Sequence, residues 1–162
     1  MKETAQLAGF VAAHAIHCVS QGKSLTMPLL VIEKEDGSTQ FIEVTGHSSE
    51  AAVMKGEKLM KKPVSGAQRA VLAFEAFLNL PPGKTDAIFL HACCFQAEPQ
   101  ELHVAVPFRA ANNPAGFAVF RPKFIAYEDN PPQPGTLNDF LRGVALHPPG
   151  QKVWTAHLDQ SR

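Results

Sequence analysis

Neither sign of charge is in excess: Lys and Arg total 15, and so do Asp and Glu. Nucleic-acid binders usually carry a basic surplus or stripe, and membrane-surface proteins a polybasic cluster, so neither nucleic acid nor membrane is an expected partner. No run reaches the ~18 apolar residues that a membrane span needs. The nearest approach, "AQLAGFVAAHAIHCV", is interrupted by two histidines. It has only Lys2, balanced by Glu3, before it and no small-x-small cleavage site after it, so it does not read as a secretion signal. Cysteine is scarce and odd in number, three in all, with two adjacent. That is a poor disulfide framework, and the expected compartment is the cytoplasm. No CxxC or HExxH spacing occurs. No motif identifies a reaction.

What the 162 residues do contain, 45% hydrophobic and 19% charged, suits a single ordered domain spanning 1–162. The apolar spacing predicts a first helix over 4–21, with Thr4 as its cap and Gly22 as its stop. Leu7, Phe10, Val11, His14 and Cys18 share one face of it, and a helix so apolar all round is expected to be buried. In "MPLLVIEKEDGSTQFIEV", two apolar runs flank Asp36-Gly37, a hairpin signal. A helix over 48–62 follows, capped by Ser48 and stopped by Pro63.

Residues 69–80, "RAVLAFEAFLNL", suit either helix or strand. The following "PPG" and a new apolar run from Ala87 decide for strand. Strands over 86–96, 101–109 and 117–127 complete a four-strand meander, with Pro107 and Pro122 marking bulges or edge positions. "NPPQPG" at 130–135 reads as a stiff linker before a helix beginning at Thr136. The tail after "HPPG" lacks periodicity, with Trp154 expected to pin it. The sum is an α+β domain: a mainly antiparallel sheet of about six strands, hairpin plus meander, with three helices.

The proline-led hairpin ending at "EDG", with "GKTDAIFL", "VPFR" and a last strand, resembles a group of small uncharacterised bacterial α/β proteins over roughly residues 25–128. The resemblance implies the strand assignments and carries no function.

The chemically loaded stretch is "IFLHACCFQAE", Ile88 to Glu98. Matching apolar with apolar across the meander puts Leu72, Phe74, Ala76 and Leu78 on the helix-facing side with Ile88, Leu90, Ala92 and Cys94. Phe89, His91, Cys93 and Phe95 then take the far side. Folding at "PPG" sets Glu75 opposite His91, Ala73 opposite Cys93 and Phe77 opposite Phe89, with His103 near Phe95. Glu75, His91 and Cys93 are thereby the candidate catalytic cluster of a small-molecule enzyme. Phe77, Phe89, Phe95 and His103 are the candidate ligand or interface residues. A metal ion requires three or four converging ligands, and HxC and HxxHC are weak spacings, so neither metal nor cofactor is expected. The far face, with Val71, Phe117 and Val119 added, would be an apolar field needing cover. The first expectation is therefore a non-enzymatic binding or structural domain that self-associates as a homodimer; a small-molecule ligand is the other candidate cover.

Overall fold

A computed structural model describes residues 1–81, 83–96, 99–126 and 132–162. Helix α1 (Lys2–Ser20) runs one turn's fraction earlier than its apolar spacing suggests, and Gly22, at φ 76°, ends it. Ala5, Ala8, Val11, Ala12, Ala13, Ala15 and Ile16 are all fully buried. Small side chains on every face let other elements approach the α1 backbone from several directions, which is why this helix sits inside the molecule. Thr4 does not cap it; no side chain does.

The hairpin strands β1 (Leu29–Lys34) and β2 (Thr39–Glu43) close through Gly37, at φ 80°. Helix α2 (Ser49–Lys61) begins where Ser48 Oγ accepts the Ala51 amide at 3.1 Å. The meander follows as β3 (Ala67–Leu80), β4 (Gly83–Cys94) and β5 (Gln100–Arg109). The last strand is split into β6 (Ala118–Val119) and β7 (Lys123–Ile125), both paired with β5. Pro122 lies in the gap, where a missing N–H interrupts the ladder. Every pairing between these strands is antiparallel, in the order β2-β1-β3-β4-β5-β6, and Val119 of β6 also makes a single parallel bridge to Leu158. Residue 127, assigned to the last strand by sequence, and residues 130–131 of the proline-rich stretch lie outside the described residues.

Helix α3 (Thr136–Ala145) starts after Gly135 as expected. A fourth helix, α4 (Pro148–His157), corrects the expectation of three. Its two prolines occupy the first positions of the helix, where no N–H is needed, and His147 caps it by accepting the Gly150 amide on Nδ1 at 3.0 Å. Only Gly150 and Trp154 are buried from this helix, too few to make a periodic pattern.

The two sheet faces carry different cores. Val31, Val71, Ala73, Ile88, Leu90, Ala92, Val104 and Val106 pack with α1, α3 and α4. Leu30, Ile32, Ala70, Leu72 and Cys93 pack with Met60 of α2 on the other side. The sequence-based facing is right for β4 and β5 and wrong for β3. Leu80 pairs with Gly83, so Leu72 stands opposite His91 and Phe74 opposite Phe89. The odd-numbered residues of β3, Val71, Ala73 and Glu75, therefore face α1. Among the described residues, no helix is long and apolar enough to cross a membrane.

Candidate functional site

The candidate cluster of Glu75, His91 and Cys93 does not assemble. Glu75 pairs with Ile88 rather than His91, and so points to the opposite face from both other residues. There its Oε2 accepts Ser24 Oγ and the Leu25 amide, each at 3.0 Å, and ties the segment after α1 to the sheet. Partial burial, and then the Glu75 charge, push the nearby Asp86 carboxyl up. Cys93 is buried opposite Ala70, and burial, assisted by Glu101, pushes its thiol up to about 12. Such a group is a core thiol and not a nucleophile.

The phenylalanines separate in the same way. Phe89 stacks on Phe74, ring centres 5.8 Å apart and planes within 13°. Phe95 packs against the α2-side core. Phe77 stands opposite Asp86 and is 66% exposed, with Lys84 Nζ 5.7 Å from its ring centre. The apolar field expected on one face is thus divided: Val71 and Val119 belong to the α1-side core and Phe117 packs against it, whereas Phe95 packs against the α2-side core.

What register does bring together is His91, Glu101 and His103. His91 and His103 are direct cross-strand partners of β4 and β5, and their rings stack at 4.1 Å with planes 20° apart. Glu101, two residues before His103, points to the same face. Its Oε2 lies 3.5 Å from His91 Nε2 and 3.6 Å from His103 Nε2. Burial pushes the His91 pKa down and the His103 charge pushes it further, against the pull of Glu101 and Glu57. His91 Nε2 is shielded from solvent, and its 3.5 Å contact with Glu101 is longer than a good hydrogen bond. Glu101 was not singled out from sequence, although the "ELH" spacing places it on the His103 face of any strand.

A second cluster joins the two ends of the chain. His147 Nδ1 accepts the Gly150 amide, so its proton sits on Nε2 and points to His14 Nδ1, 3.2 Å away. The His14 proton is then on Nε2, 3.8 Å from Cys18 Sγ. One directional chain, Gly150 to His147 to His14 to Cys18, satisfies all three side chains in their neutral forms. Burial pushes both imidazole pKa values down and the Cys18 thiol up. His14 is therefore a hydrogen-bonded, half-buried histidine at a helix–helix contact.

These environments order the cysteines. At neutral pH, Cys18, the one partly exposed thiol, should alkylate first in the native protein. Cys93 and Cys94, on opposite faces but both buried, should react only on unfolding. A thiol near 12 has a thiolate fraction roughly a thousandfold below that of an ordinary cysteine. Mass spectrometry of timed alkylation checks this order; selective labelling of native Cys93 would contradict it. No protein family, curated protein or solved structure matches this chain.

Proposed function

We propose that the protein is a non-enzymatic binding domain that self-associates, and that the contact is the free edge of β3. One observation carries this reading. On the β1 side, β3 is paired only up to Ala73, opposite Leu29. Beyond it, Phe74–Leu80 pairs with β4 alone among the described residues, leaving its other edge without a ladder partner. Natural sheets blunt such edges with lysine, proline or bulges. "FEAFLNL" has none of these, and its one charge, Glu75, is turned onto Ser24 and Leu25.

A second copy running antiparallel about a two-fold axis would cover both edges at once, because such a contact uses the same patch twice. Centred on Phe77, it sets Glu75 beside Asn79 of the partner subunit, which avoids opposing like charges. Burying Phe77, now 66% exposed, contributes on the order of 2 kcal/mol per subunit. This moves the expected self-association surface from the Phe89 face to the β3 edge. A small-molecule enzyme built on Glu75, His91 and Cys93 is not proposed, since those side chains occupy two faces of the sheet. Three free thiols are in keeping with a cytoplasmic setting.

Light scattering at micromolar concentration should give twice the 17.5 kDa chain mass. The Phe77→Lys variant should remain folded by circular dichroism and elute as a monomer. A monomeric native chain, or a dimer indifferent to Phe77→Lys, would remove the β3-edge reading.

A further inference from the structure

We propose that His91, Glu101 and His103 bind a divalent first-row transition metal ion, of the zinc class. The ligand atoms of these three residues all lie within 4.8 Å of one another. In a tetrahedral site with bonds of about 2.0–2.2 Å, neighbouring ligand atoms stand about 3.3–3.6 Å apart. The two carboxylate-to-imidazole separations, 3.5 and 3.6 Å, meet that requirement. Two imidazoles and one carboxylate suit zinc, cobalt, nickel, copper or iron, whereas magnesium and calcium prefer oxygen ligands throughout.

Three further features support a site rather than a chance contact. All three ligands stand on adjacent antiparallel strands in mid-sheet, which holds their Cα positions better than a loop would. His91 Nε2 is shielded from solvent, and the 3.5 Å contact with Glu101 does not give it a good hydrogen bond. An ion between them would satisfy it. Glu101 is 58% exposed, so the third ligand lies on the solvent side, where a water can complete the coordination shell. The imidazole planes, now 20° apart, must tilt for both lone pairs to meet on one ion. The terminal torsion of histidine is broad, so rotation about it can supply that tilt.

The site is independent of self-association, so the Phe77→Lys variant should bind metal as the native chain does. The test uses full-length, tag-free, chelator-stripped protein titrated with Zn²⁺ and separately with Co²⁺. Calorimetry should give one equivalent, and Co²⁺ should develop the visible absorption of a low-symmetry site. Glu101→Gln removes a direct ligand and should weaken binding by at least about 10- to 100-fold, the loss expected from changing even a residue that only supports a ligand, and His103→Gln should abolish it. His14→Leu should leave it unchanged. Glu101→Gln tests an exposed position, so its result stands even if His103→Gln fails to fold. Affinity weaker than about 1 mM, binding undiminished in Glu101→Gln, or binding lost in His14→Leu would overturn the assignment.

Discussion

Gly143→Ala should lower the melting temperature by roughly 4–8 °C, more than any conservative exchange on the surface. Gly143 of α3 lies on the backbone of α1: a methyl group there would run into the Gln6 carbonyl. The contact is reciprocal, since a methyl group on Gly9 would run into the Phe140 carbonyl. Neither clash can be relieved by rotating a side chain. The helices must part, and parting them opens space around Phe140, which is fully buried against Trp154 and Phe124. Overpacking of this kind costs about 1–3 kcal/mol and at times more. Helix propensity returns at most about 1 kcal/mol of that. For a chain of this size each net kcal/mol is worth roughly 2–4 °C. Gly56→Ala is the contrasting variant, because a methyl group there meets the Leu72 side chain, which can adjust. Its loss should be the smaller of the two. Calorimetry on both variants measures the difference; a Gly143→Ala protein as stable as the native one would refute the close crossing.

Below about pH 6.5, stability should fall steadily, and His14→Leu should flatten the fall. His14 and His147 both have folded pKa values below the ordinary histidine value, chiefly through burial. Between the folded and unfolded values, the unfolded chain binds protons that the native protein refuses. Stability is therefore complete above about 6.5 and is lost as pH drops toward the folded values. The hydrogen-bond chain gives the molecular reason. His147 can gain a proton only at Nδ1, which already accepts the Gly150 amide, and His14 only at Nδ1, which accepts from His147. Burial also moves His91 in the same direction, so one variant will not remove the whole slope. At pH 7.5, His14→Leu leaves the His147 Nε2 proton without its acceptor and should cost about 1–2 kcal/mol. The gap from the native protein should shrink as the pH is lowered, because leucine has no proton to refuse. Urea denaturation at a series of pH values decides it. A gap constant from pH 7.5 to 5.5 would show that His14 titrates alike in both states.

The register of β3 shows where local reasoning stopped. Alternation grouped Ile88, Leu90 and Ala92 on one helix-facing side, and all three belong to the α1-side core; the residues opposite them include polar His91. In β3 both faces are apolar, Val71 and Ala73 on one and Leu72 and Phe74 on the other, since helices cover both sides of the sheet. With no polar side to mark, the facing depended on the turn alone. Setting the fold at "PPG" instead of at the Leu80–Gly83 pair reversed the strand and carried Glu75 to the wrong face.

By itself the sequence determined the class and most of the elements: an α+β chain, a buried first helix, a glycine-closed hairpin, the Ser48 cap and a run of antiparallel strands. These are local matters of spacing, caps and turns within a few residues. Tertiary structure decided which reactive side chains meet. His14 finds His147 across 133 positions, and α4, which carries that cap, has too few buried residues to announce itself. His91 meets His103 and Glu101 because two strands share one register, and a slip of one residue would turn one strand's side chains away. Contacts of that kind depend on the pairing of distant segments, which local periodicity does not encode.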